Sequence, residues 1–129
     1  MKRKIYSDLL KWKNNKDNRK PLMIQGARQV GKTFIIREFC QNEYKNYVEI
    51  NLLERKDIIN LYKKDINSSD KYLKFKAMID CNIDEENTIL FIDEIQESEE
   101  LISELKYFCE KHNNVNIICA GSLLGVKLR

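Results

Sequence analysis

Glycine is scarce in this chain, with four in 129 residues; proline occurs once, at Pro21, and histidine once, at His112. The four cysteines (Cys40, Cys81, Cys109, Cys119) form no C-x-x-C pair. One histidine cannot complete a zinc set with them, so the pattern argues against such a site. Each cysteine lies in an apolar periodic segment and reads as a small buried thiol, and disulfides are not expected in a reducing compartment. No apolar run is long enough to span a bilayer. The basic start, MKRKIYSDLLKWK, has no apolar stretch behind it and is no secretory signal. The expectation is a cytoplasmic protein with no membrane partner.

What is present fits one compact domain over residues 1–129, 43% hydrophobic and 33% charged. The net charge of +3 is small, but its distribution is uneven. Residues 1–20, read as a basic helix and loop, carry eight Lys/Arg against two Asp, whereas 84–104 carry nine Asp/Glu and no basic residue. The basic arm is open to two readings: a contact for nucleic-acid phosphates, or a solvated face of a Lys- and Asn-rich chain, which is the favoured one.

Hydrophobic spacing orders the chain. Ile5, Leu9 and Trp12 recur at helical intervals, and a polar loop follows. Residues 21–25 (PLMIQ) read as a strand and 32–41 as a helix. Residues 45–52 (KNYVEINL) alternate as a strand does, 55–64 and 69–82 have helical stripes, and 88–92 (TILFI) is an apolar run for a strand buried on both faces. Ser98 followed by Glu99 and Glu100 is a helix start, with the helix running to Lys111; 115–120 (VNIICA) is a fourth strand. Strands alternating with helices predict an α/β fold with a mostly parallel sheet. Ligands bind such sheets beyond the carboxyl ends of the strands.

The glycines are spent in two places, which reads as a need for special backbone there and nowhere else. Gly26 and Gly31 stand in GARQVGKTF (26–34), and Gly121 and Gly125 in GSLLG. The former matches G-x-x-x-x-G-K-[ST] between a strand and a helix. Its backbone N–H groups, from Gly26 through Ala27, Arg28, Gln29, Val30 and Gly31 to the following Phe34, would cradle phosphates at a helix amino terminus. Lys32 would reach the β- and γ-phosphates, and Thr33 would ligate Mg²⁺. Arg28 is read as touching phosphate or facing solvent, the latter favoured.

ILFIDEIQ places Asp93 and Glu94 directly after a buried strand. Asp93 is the expected second metal group, and Glu94 the base for an attacking water. A carboxylate poised for water favours hydrolysis over phosphate transfer, and no N-K-x-D motif in the right place points to GTP. ATP is the expected nucleotide. Gln96 either supports the carboxylates or lies at the surface. Ser122 either senses the γ-phosphate or caps a turn.

Together these residues resemble an AAA-type ATPase domain of the additional-strand class of P-loop proteins. LLKWKNNKDNRKPLMIQGARQVGKTF, ILFIDEIQ and GSLLG resemble, more narrowly, the N-terminal domain of a prokaryotic ATPase family. In that family a C-terminal domain of unknown function follows, sometimes compared with nucleases. The resemblance implies a three-layer fold with sheet order 5-1-4-3-2, so that the four strands here lie as glycine-loop strand, sensor strand, acidic strand, then 45–52. It implies ATP and Mg²⁺ as ligands, a C-terminal domain in cis as partner, and a possible homo-oligomer. It assigns catalysis to Glu94, Lys32 and Ser122. A fifth strand, a helical lid, a second sensor and an arginine finger would lie past Arg129, so the domain is expected to be incomplete at its C-terminal side. Arg37, Arg55 and Arg129 are the candidates for a transition-state arginine. The alternatives to an ATPase are an ATP-binding module without significant turnover and a nucleic-acid-associated protein using the basic N-terminal arm.

Overall fold

The computed structural model describes residues 2–15, 20–25, 30–112 and 115–121. In chain order these form α1 (Lys2–Asn14), β1 (Leu22–Gln25), α2 (Val30–Glu43), β2 (Asn46–Asn51), α3 (Lys56–Lys63), α4 (Ser68–Ile79), β3 (Thr88–Asp93), α5 (Glu99–Lys111) and β4 (Asn116–Gly121). A single 3₁₀ turn, Ile95–Glu97, joins β3 to α5. The four strands make one parallel sheet in the order β1-β4-β3-β2, the order that the family resemblance implied. Among the described residues β1 is hydrogen-bonded to β4 alone.

The alternation of side chains along each strand divides the core in two. Ile89, Phe91 and Ile118 face α1 and α2, where they meet Leu9, Ile35, Ile36, Phe39 and Cys40. Leu90, Ile92, Ile117 and Cys119 face the other layer, where α3, α4 and α5 supply Ile58, Tyr62, Tyr72, Phe75, Leu105 and Phe108. Strand β3 is buried from Thr88 to Ile92 because helices cover both faces, as its unbroken apolar run foretold.

Local chemistry fixes the joints. Trp12 Nε1 donates to the Lys20 carbonyl at 2.8 Å, closing the approach to β1. Asn67 Oδ1 accepts the Asp70 N–H at 2.8 Å and caps α4. Ser98 Oγ accepts the Leu101 N–H at 3.1 Å and caps α5, as its sequence indicated. Asp84 gathers Tyr72 Oη (2.7 Å), Lys76 Nζ (2.9 Å) and His112 Nδ1 (3.3 Å), tying the loop before β3 to α4 and α5.

Two expectations need correction. Special backbone, expected at the two glycine clusters and nowhere else, also occurs at Asp80 (φ 52°) and Glu94 (φ 57°), neither of them glycine, while Gly26 and Gly125 lie outside the described residues. Asp80 ends α4 with N–H groups returning to Ala77 and Lys76, the geometry in which a left-handed residue recovers helix carbonyls. The cysteines also differ among themselves. Cys40 and Cys119 are buried, but Cys81 and Cys109 are only half-buried, packed at the margin of the α3–α5 core. Burial pushes the Cys40 thiol up to about 12, which makes it unreactive at neutral pH.

Candidate functional site

The sheet register ends three of the strands at one edge. Gln25 at the end of β1 lies opposite Gly121 at the end of β4, and Asn51 at the end of β2 lies opposite Asp93 at the end of β3. Ile92 is paired with Cys119, so Asp93 stands level with the last residues of β4 and β1. One strand separates β1 from β3, a lateral distance of about 10 Å. Helix α2, which carries Lys32 and Thr33 in its first turns, starts from this same edge. Asp93 follows Ile89 and Phe91 in alternation, so its side chain belongs to the α2 face of the sheet. Lys32, in the first turn of α2, and Asp93, on the α2 face at the end of β3, thus belong to the same side and the same edge of the sheet.

Helix α2 begins at Val30, two residues earlier than expected. Gly31 is thus helical, and its role is not an unusual dihedral. A Cβ placed on it would meet nothing within 4 Å, so the missing side chain leaves open space at the helix end. Four N–H groups at the start of a helix lack intrahelical partners and, with the dipole, suit an anion. Lys32 and Thr33 are half-buried, and Phe34 is exposed. Gly26, Ala27, Arg28, Gln29 and Ser122 lie outside the described residues.

Asp93 and Glu94 differ in environment. Asp93 Oδ1 accepts the Glu94 N–H at 2.9 Å. Burial raises the Asp93 carboxyl above its ordinary value of 3.8; the Glu94 N–H opposes this, while the charges of Glu94 and Glu49 add to it. Glu94 is 7% exposed and turns left-handed as the chain leaves β3. That turn costs about 1–2 kcal/mol for a residue other than glycine. Gln96 Nε2 donates to Glu94 Oε1 at 2.8 Å, so the half-buried Gln96 supports one of the two carboxylates.

Sequence reasoning missed a second charged group on this face. Arg37 of α2 holds Glu49 of β2 through three hydrogen bonds of 2.7, 2.9 and 3.1 Å, and Tyr47 Oη donates to the same carboxylate. Burial opposes the Glu49 charge, but the Arg37 and Tyr47 hydrogen bonds outweigh it and hold the carboxyl below its usual range. The alternation in NYVEIN carried the signal, since it puts Tyr47, Glu49 and Asn51 on the face that Asp93 shares. Of the candidate transition-state arginines, Arg37 is thus occupied by Glu49. Arg55 is bonded to Asp57 and the Met78 carbonyl, and Arg129 lies outside the described residues. In α1, Lys4 and Lys11 are exposed, while Lys13 lies 5.3 Å from the centre of the Tyr44 ring.

With this geometry established, comparison with known families is decisive. A family model described as an AAA domain matches residues 18–129. The chain belongs to the AAA domain family. A search of curated proteins returns no match. This AAA domain has the four-stranded parallel sheet of a P-loop NTPase-like fold, and membership implies nucleotide binding of the ATPase kind. Among the described residues no helix is long and apolar enough to cross a membrane.

The donors suit a small hard cation. Asp93 and Thr33 offer hard oxygen donors, the kind that Mg²⁺ takes one or two of from a protein beside substrate phosphates.

Proposed function

We propose that this AAA domain binds ATP with Mg²⁺ and hydrolyses the terminal phosphate. The observation that supports the proposal is the parallel register, which ends β1, β4 and β3 at one edge of the sheet, the edge where α2 follows β1 and the Asp93–Glu94 pair closes β3. Residues 26–31 and the first N–H groups of α2 hold the phosphates, and Lys32 neutralises their charge. Asp93 and Thr33 hold Mg²⁺, which draws charge from the phosphate oxygens when bound. Glu94 takes a proton from water as the water oxygen attacks the γ-phosphorus, and the bond to the bridging oxygen breaks to leave ADP. No covalent intermediate is needed, since positioning and charge neutralisation suffice. Ser122 contacts the γ-phosphate or the water. Residues 1–129 serve as one cytoplasmic domain that switches or drives a C-terminal domain in cis, and a homo-oligomer is a further partner in this reading.

Calorimetry with ATP and GTP, with and without Mg²⁺, tests binding. ATP is expected to bind only with the metal, and Lys32→Ala to abolish binding. In single turnover, Glu94→Gln should bind ATP yet hydrolyse it about 10²–10⁴-fold more slowly, the usual contribution of a general base. Absence of nucleotide binding by the wild type overturns the proposal. Equal near-zero rates for wild type and Glu94→Gln would identify a binding module instead.

A further inference from the structure

The segment from Asp93 to Ser98 is anchored at both ends, and Gln96 lies at its middle. Asp93 belongs to β3, and Ser98 is fixed by capping α5. Between them, the Glu97 N–H returns to the Glu94 carbonyl (3.1 Å) and the Ser98 N–H to the Ile95 carbonyl (3.2 Å), while Ile95 is wholly buried. Such a bracket leaves Gln96 little freedom. Its amide donates to Glu94 Oε1 at 2.8 Å and makes a longer contact, 3.5 Å, to Glu97 Oε2.

Its amide oxygen is buried with no hydrogen-bond partner. An ionised carboxylate accepts only, so the amide must turn its NH₂ toward Glu94, and Oε1 is necessarily the end left over. A buried acceptor without a donor is costly and calls for an explanation. A water held by Glu94 would provide the donor.

We propose that Gln96 is the positioning residue for Glu94. Its N–H fixes the orientation of the Glu94 carboxylate, and Oε1 accepts a hydrogen bond from the attacking water. The proton still passes to Glu94, and Gln96 exchanges none. The inference rests on the ATPase reading and deepens it. A glutamine that merely filled the bracket would need neither the contact with the carboxylate nor the empty acceptor.

The test uses Gln96→Met, which keeps the length and loses the amide, and Gln96→Asn, which keeps an amide one methylene shorter. Gln96→Met is expected to slow single-turnover hydrolysis about 10²-fold, the effect of a misplacement near 1 Å. Its affinity for Mg²⁺·ATP should stay within about twofold of wild type. Gln96→Asn should give an intermediate rate. In the nucleotide-free wild type, the Gln96 side-chain amide should exchange slowly in NMR spectra and lose that protection in Glu94→Ala. Wild-type rates in Gln96→Met, an equal loss of affinity and rate, or an unprotected amide would each overturn the inference while the ATPase reading stands. A wild type that does not turn ATP over would overturn both, and a protected amide would then mark Gln96 as a brace for the loop.

Discussion

At the scale of single residues, the site holds charge against the preference of the fold. Burial raises the Asp93 carboxyl, and the neighbouring charges of Glu94 and Glu49 raise it further, so at neutral pH the ionised form is held at a cost in stability. Residues shaped for function commonly lower stability in this way. Asparagine at position 93 would keep an oxygen for the Glu94 N–H and lose the charge. Asp93→Asn should therefore melt at a higher temperature than wild type without nucleotide, yet lose Mg²⁺-dependent ATP binding. Thermal melts and calorimetry on the same preparation check the two effects, and a lower melting temperature would contradict the electrostatic account. Glu94 adds a backbone cost, since its left-handed turn is unusual for any residue but glycine.

At the scale of elements, α5 shows how a local signal fixes a long-range position. Ser98 is 1% exposed, and its hydroxyl receives the Leu101 N–H. Ser98→Ala should cost about 1 kcal/mol in urea unfolding, the usual loss for a helix cap. It should also slow hydrolysis, because the cap anchors the bracket that carries Gln96 and Glu94. Elements of this kind were legible in the sequence: apolar runs located β3 and β4, alternation located β2, and helical spacing located α1, α3, α4 and α5. The sheet order followed from the family resemblance of GARQVGKTF, ILFIDEIQ and GSLLG. The 3₁₀ turn was not legible, because three residues carry no periodicity. The left-handed turns at Asp80 and Glu94 escaped because that conformation is signalled by glycine, and this chain places neither turn on one. The Arg37–Glu49 pair escaped because its partners come from different elements and meet only when α2 packs on the sheet. The placement of Lys32 and Asp93 after strand ends on one edge of the sheet was legible, since both follow strands that run parallel. The roles of Gly26 to Gln29 and of Ser122 still rest on their motifs.

At the scale of the whole molecule, the carboxylates divide into two groups with opposite linkage to pH. Asp84 is opposed by burial, but the Lys76 and Tyr72 hydrogen bonds and the His112 and Lys76 charges outweigh it, and its carboxyl lies below the ordinary 3.8. Glu49 likewise lies below its ordinary 4.5, through Arg37 and Tyr47 against burial. A lowered group contributes stability that is fully present above its unfolded value and is lost as pH falls toward its folded value. Asp93 is raised, so its destabilising charge is removed as pH falls through its folded value toward 3.8. Urea unfolding of the nucleotide-free protein should therefore show stability rising slightly as pH drops from 7 toward the carboxylate range. It should then decline as Asp84 and Glu49 take up protons below 3.8 and 4.5. Asp93→Asn should flatten the upper limb. Asp84→Asn should lower stability at pH 7 and shrink the acid loss, because it removes the charge that joins α4, α5 and the loop before β3. If Asp84→Asn left both limbs unchanged, the connection between the two helices would have to rest on apolar packing alone, and the Tyr72, Phe75 and Phe108 contacts would carry it.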